Sequence, residues 1–149
     1  MPSLRPLLAL LPALLTALPL AAAAQADPLK AAAAEAGASV TASGLVYRSL
    51  KDGSGPAPAA TDTVRVHYRG TFPDGREFDS SYKRGQPTEF PLNRVIPCWT
   101  EGVQKIKVGG KARLTCPAAI ADGERGAGGV IPPNAVLQFE VELLAIAGK

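Results

Sequence analysis

Hydrophobic and polar residues alternate strictly along Thr63-Val64-Arg65-Val66-His67-Tyr68-Arg69-Gly70. Val64, Val66 and Tyr68 fall on one face. Arg65, His67 and Arg69 fall on the other, where His67 is expected to meet solvent. A period of two marks a strand with one buried side. Residues 111–117 repeat the pattern, with Ala112, Leu114 and Cys116 on one face. Residues 45–50 read as a first strand and 136–144 as a long closing one. Pro73-Asp74-Gly75 is a turn, after which residues 77–82 return as a short strand. Residues 89–92 read as an edge segment, because Pro91 cannot serve a central ladder.

One stretch breaks the period. Residues 95–104 open with the apolar pair Val95-Ile96 and are interrupted by Pro97. Trp99, Val103 and Ile106 then fall at i, i+4 and i+7, a single helical face. Pro97 suits a first turn, where its missing N–H removes no hydrogen bond. Gly109-Gly110 suits the exit. A helix this short is unstable alone, so its apolar face needs the strands on either side. The order predicts an α+β fold: an antiparallel β-sheet half wrapped around one short α-helix. Residues 121–129 read as a Gly-rich loop, and Val130-Ile131-Pro132-Pro133-Asn134 as an exposed apolar tip. Exposed aliphatic residues at such a tip suggest a binding surface.

The first residues read differently. Arg5 supplies one positive charge, and residues 7–20 form a Leu-rich run broken by Pro12 and Pro19. Ala21-Ala22-Ala23-Ala24-Gln25-Ala26 then carries a small-x-small cleavage pattern, so residues 1–26 are expected to be a signal peptide. The run is too short and too broken for a membrane anchor, and no membrane contact is expected after cleavage. Residues 27–43, Ala-rich with little to bury, read as a flexible arm. Residues 44–149 form the domain.

Export places Cys98 and Cys116 in an oxidising compartment, where an even pair predicts a disulfide. A helix packed on a sheet brings such positions within bridging reach. Two cysteines and one distant histidine do not fit a zinc site, and no metal or cofactor is expected. The formal charge is +3, with basic and acidic residues interspersed. That balance gives no reason to expect nucleic acid as a partner.

No Ser-His-Asp arrangement can be assembled around the sole histidine, and no phosphate loop is present. What remains is a set of apolar residues able to converge: Tyr68, Phe78, Val95, Ile96, Trp99, Ile131 and Phe139. Asp79 and Arg84 form a polar pair beside them. The set is either one hydrophobic core or the lining of a pocket.

Five ordered motifs make the chain similar to a known family. Val66-His67-Tyr68-x-Gly70, Asp74-Gly75-x-x-Phe78-Asp79-Ser80-Ser81, Val95-Ile96-Pro97-x-Trp99-x-Glu101-Gly102, Ile131-Pro132-Pro133-Asn134 and Phe139-Glu140-Val141-Glu142-Leu143-Leu144 resemble the FKBP-type peptidyl-prolyl cis–trans isomerases. The likeness is to exported bacterial single-domain members, which implies a periplasmic location. It implies Trp99 as a pocket floor, with Tyr68, Phe78, Val95, Ile96 and Phe139 as walls and Val130 and Ile131 as a lip. Asp79 would stand at the rim, braced by Tyr68 and Arg84. The Ile96 N–H would donate to a substrate carbonyl.

Proline-containing polypeptides are the implied substrates, and macrolides of the rapamycin type are implied ligands. The chain departs from the family at Asp122, where a tyrosine that donates to the ligand is usual. A carboxylate at neutral pH only accepts. This departure leaves a second reading open, an FKBP-fold binding or chaperone module with little turnover.

Overall fold

The computed structural model describes residues 2–3, 12–14 and 27–149. The signal peptide expected over residues 1–26 falls almost wholly outside the described residues. In chain order the elements are α1 (Pro28–Ala33), β1 (Ala38–Val40), β2 (Val46–Lys51), β3 (Thr63–Thr71) and β4 (Glu77–Ser80). Then come α2 (Ser81–Arg84), β5 (Thr88–Pro91), α3 (Pro97–Val103), β6 (Lys111–Cys116) and β7 (Leu137–Ile146). The seven strands form one antiparallel sheet in the order β1-β2-β6-β7-β3-β4, with β5 also pairing β3. The expected α+β architecture is therefore the one formed. The strand order is not a chain of simple hairpins: β2 pairs β6, and β3 pairs β7.

The inward face follows the alternation. Val64, Val66 and Tyr68 of β3 are buried, as are Ala112, Leu114 and Cys116 of β6. On β7 the pattern holds from Leu137 to Leu143, then shifts parity so that Ile146 is buried. A register irregularity opposite Arg65 and Val66 makes the shift: one extra residue turns the following side chains to the other face.

β4 and β5 share one edge of β3 and leave a gap at Tyr68. Ser81, fully buried at the start of α2, fills it. Its Oγ accepts from the Tyr68 N–H at 2.7 Å, donates to the Tyr68 carbonyl at 3.2 Å and lies 2.8 Å from His67 Nδ1. The buried backbone polar groups thus keep partners where the ladder lapses. His67 corrects its expectation. It is half-buried and stacks on Tyr82, ring centroids 4.5 Å apart, because α2 folds back over the outer side of β3.

α3 lies on the inner face, and Trp99, Val103 and Ile106 are all buried, as their spacing requires. The helix stops at Val103. Ile106 reaches the core from a following turn, its N–H donating to the Val103 carbonyl at 3.1 Å. Contact with the sheet is close at Gly102, where an added Cβ would stand 2.8 Å from both Leu114 Cδ atoms. Cys98 and Cys116 form the expected disulfide, with Cα atoms 5.8 Å apart and both residues fully buried.

Residues 27–43 do not form the expected loose arm. The Asp27 carboxylate accepts from the Leu29 and Lys30 N–H groups and caps α1. β1 adds to the sheet through Ala38–Val40 against Val46–Arg48. Glu35 reaches Arg48 at 2.5 Å and Arg113 at 3.4 Å. An edge strand and an ion pair need no bulky apolar residue, so composition did not reveal them. No helix among the described residues is long and apolar enough to cross a membrane.

The disulfide closes a loop of 18 residues between helix and sheet. The chain-entropy relation assigns such a loop roughly 3 kcal/mol. The purified protein should therefore show no titratable thiol when denatured without reductant. Full reduction should lower its melting temperature on the order of 10 °C. Two titratable thiols, or an unchanged transition after complete reduction, would contradict this.

Candidate active site

The site is built where α3 meets the inner faces of β3, β5 and β7. Trp99, 4% exposed, is met edge-on by three rings. Centroid distances are 5.1 Å to Tyr68, 5.4 Å to Phe90 and 5.4 Å to Phe139, with interplanar angles of 79° to 89°. Such T-shaped contacts set the positive edge of one ring against the negative face of the next. Phe78 continues the chain of rings, 5.6 Å from Phe139 and 5.0 Å from Phe72.

Gly70 makes the Phe78 position possible. A Cβ at Gly70 would stand 2.6 Å from Phe78 Cζ and 3.1 Å from Phe139 Cε1. Any side chain at position 70 would displace both rings. Val95 and Ile96 lie partly buried against the same core, immediately before α3. The Ile96 carbonyl accepts from the Trp99 and Thr100 N–H groups, while its own N–H donates to no group among the described residues.

The polar pair is joined to this cluster. The Tyr68 hydroxyl donates to Asp79 Oδ2 at 2.5 Å, and Arg84 donates to Asp79 Oδ1 at 2.6 Å. Arg84 also donates to the Tyr68 oxygen at 3.0 Å and to Thr88 Oγ1 at 3.2 Å. Burial pushes the Asp79 carboxyl up, but the Tyr68 hydroxyl and the Arg84 guanidinium outweigh it, so the group stays below its ordinary value. Burial first, then the bond to Asp79, pushes the Tyr68 phenol up. Neither group titrates near neutrality.

The lip is less uniform than the sequence suggested. Val130 is 58% exposed, as a tip residue should be, but Ile131 is 6% exposed and belongs to the core. Its N–H and carbonyl pair with Ala127, which pins the loop and turns the Ile131 side chain inward. Asp122 is half-buried at the start of a turn in which its carbonyl accepts from Gly126. Its carboxylate makes no hydrogen bond or ion pair among the described residues.

Tyr68, Phe78, Asp79, Arg84, Trp99 and Phe139 are thus brought into one connected group, with Val95 and Ile96 beside it. Phe90, which touches both Tyr68 and Trp99, was missed. Its signal was the alternation Thr88-Glu89-Phe90-Pro91, which puts Phe90 opposite Val64 on the inner face. An open groove of about 730 Å³ starts at Val95 but runs along the outer side of α3, away from Trp99. No group of His, Cys, Asp and Glu among the described residues is arranged to hold a metal ion.

Residues 55–144 match the family model for "FKBP-type peptidyl-prolyl cis-trans isomerase". The chain is 57% identical over 118 residues to an FKBP-type peptidyl-prolyl cis-trans isomerase FkpA of Aeromonas hydrophila, covering 79% of this chain and 44% of that protein. Among solved structures it is similar to FkpA from Escherichia coli, with a TM-score of 0.77 and 49% identity over 79% of this chain and 55% of that one. It is also similar to a peptidyl-prolyl cis-trans isomerase from Pseudomonas syringae pv. tomato, with a TM-score of 0.76 and 39% identity over 88% of this chain and 98% of that one. The chain spans about half the length of the curated relatives it matches.

The depressed Asp79 carboxyl has a consequence for stability. A group whose folded pKa lies below its unfolded value stabilises the fold above the unfolded value, about 3.9, and loses that contribution as pH falls through the folded one. Asp79→Asn should therefore be less stable than the parent in urea at pH 6. The gap should narrow at pH values below about 3. A gap that is constant or widens with acid would show that the carboxylate is not held by Tyr68 and Arg84.

Proposed function

Because the chain belongs to the family of FKBP-type peptidyl-prolyl cis-trans isomerases, we propose that it isomerises X–Pro bonds in polypeptides, at the ring cluster around Trp99. The observation that carries this reading is the combination at one place of an apolar aromatic floor and a backbone N–H with no partner among the described residues, that of Ile96. In this reading Trp99 underlies the proline ring. Tyr68, Phe78, Val95, Ile96 and Phe139 enclose it, and Val130 and Ile131 form the loop side. Asp79 stands at the rim, held by Tyr68 and Arg84.

The chemistry follows from the bond. Resonance holds the X–Pro amide planar, with a barrier of about 20 kcal/mol. Rotation breaks that resonance, leaving the nitrogen pyramidal and the carbonyl with its own separate dipole. No covalent bond is made or broken, so neither a nucleophile nor a proton shuttle is required. A site that grips the ring through dispersion and excludes water favours the twisted amide over the planar one, which is differential binding. One donor from Ile96 anchors the chain while the bond turns. The polar residues are correspondingly unsuited to proton transfer: Asp79 is held ionised and Tyr68 neutral.

The leader pattern and the disulfide support export to an oxidising compartment, the periplasm of a bacterium in this reading. Proline-containing polypeptides being folded there are the proposed substrates, and macrolides of the rapamycin type are proposed ligands of the same site.

Proline-peptide isomerisation tests the reading. kcat/KM should be flat from about pH 5 to 9, because both site groups titrate outside that window. Trp99→Leu should remain folded and lower kcat/KM by about an order of magnitude. An unchanged kcat/KM in the folded variant, or a bell-shaped profile, would reject the assignment.

Asp122→Tyr restores a donor and removes a charge at the lip. It should tighten macrolide binding by roughly tenfold or less, the worth of one neutral hydrogen bond. Calorimetric titration that gives equal or weaker binding would place Asp122 away from the ligand.

A further inference from the structure

Two recesses adjoin at Lys105, one along the outer side of α3 and one between β2 and residues 105–107. The open groove of about 730 Å³ runs from Val95 and Pro97 past Thr100 and Gln104 to Lys105, with Asn93 on its wall. A second recess of about 240 Å³ shares Lys105 and adds Lys51 and Lys107, around Tyr47 and Ser49. Sharing Lys105, they can be followed as one track. It leaves the ring cluster at Val95, presents side-chain amides at Asn93 and Gln104, and ends among three lysines.

The lysines at that end outnumber the one acid beside them, Asp52, and none is held in an ion pair among the described residues. No carboxylate lies within ion-pair distance of Lys51, Lys105 or Lys107 among the described residues. Two acids also line the track, Glu101 and Asp52, and each accepts from a serine hydroxyl, Ser43 Oγ at 2.5 Å and Ser49 Oγ at 2.6 Å, rather than from a lysine. The outer sheet face behaves differently, for there Arg48, Arg69, Lys111 and Arg113 all reach glutamates. Lysines just past a helix are an ordinary complement to its dipole. Lys51, however, comes from β2, so the helix alone does not account for the convergence.

We propose that this track holds the polypeptide flanking the substrate proline and favours flanks that carry acidic side chains. The inference rests on the reading of the ring cluster as the proline site, since continuity with Val95 is what directs a bound chain into the groove. From Val95 across α3 to Lys105 the path is on the order of 15 Å at the helical rise, or about five residues of extended chain. Carboxylates roughly four to eight positions from the proline would meet the lysines. A tetrapeptide would not reach them.

The test compares peptides of about 15 residues with one central Ala-Pro and flanks bearing either Glu or Lys, with isomerisation followed by NMR exchange. A tetrapeptide serves as the reference substrate. The Glu-flanked peptide should exceed the Lys-flanked one in kcat/KM by roughly fivefold at low salt, as expected for two or three exposed ion pairs. About 0.5 M salt should erase the difference.

The triple variant K51Q/K105Q/K107Q should bring the ratio to one, and K105E/K107E should invert it, both with unchanged melting temperatures. Equal rates for the two long peptides, with the tetrapeptide turned over normally, would overturn the track and leave the proline site standing. Failure to turn over any proline peptide would overturn the functional reading and this inference with it. A single-stranded oligonucleotide that displaces the Glu-flanked peptide at lower concentration than the unlabelled peptide itself would also overturn it.

Discussion

The close approach of α3 to the sheet sets the geometry of everything else. At Gly102 there is no room for a side chain above Leu114. One turn earlier the Cys98–Cys116 bridge ties the same helix to the same strand. A seven-residue helix has little stability of its own. It persists because packing and a covalent link hold it against β6, and that hold brings the Trp99 indole down among the rings of β3, β5 and β7. An extra methyl at position 102 would have to lift the helix or move Leu114, and overpacking of this kind costs about 1–3 kcal/mol. Gly70 plays the matching part on the sheet side, where its missing Cβ leaves the space that Phe78 and Phe139 occupy.

The polar parts of the proposed site work by being fixed. Arg84 joins Asp79, Tyr68 and Thr88 in one network, so the carboxylate and the phenol each hold one protonation state across the neutral range. Ser81 anchors the same tyrosine from behind through its backbone. Rotation about an amide needs no proton carried, and a rim that does not titrate suits it. Such a network also orients Tyr68 without drawing water toward the rings. The loop on the other side is less constrained, with Val130 and the Asp122 carboxylate unpaired among the described residues. Variation there would alter recognition more readily than turnover.

Much of the fold was legible in the sequence because one physical rule governs it. A sheet with one buried face demands a period of two, and β3, β6 and β7 show it. A helix buried on one side demands i, i+4 and i+7, and Trp99, Val103 and Ile106 obey it. The cysteine pair was legible from its even number and the compartment that the leader pattern led one to expect. Readings failed where stability comes from partners rather than periodicity. α1 and β1 are held by a cap, an edge ladder and Glu35, none of which leaves an apolar pattern. His67 was assigned to solvent by its parity, yet α2 covers it. Ile131 was assigned to an exposed tip, yet two backbone bonds to Ala127 turn it inward.

The sequence by itself determined which residues are apolar, which face each strand buries, and that Trp99 must lie between a helix and a sheet. These are local consequences of side-chain chemistry and backbone period. Only the tertiary structure decided that Phe90 joins the ring cluster, that Arg84 reaches both Asp79 and Tyr68, and that Lys51 meets Lys105 and Lys107. Those relations depend on which strands become neighbours. Strand order is fixed by how all the elements pack together, and no single stretch of chain carries it.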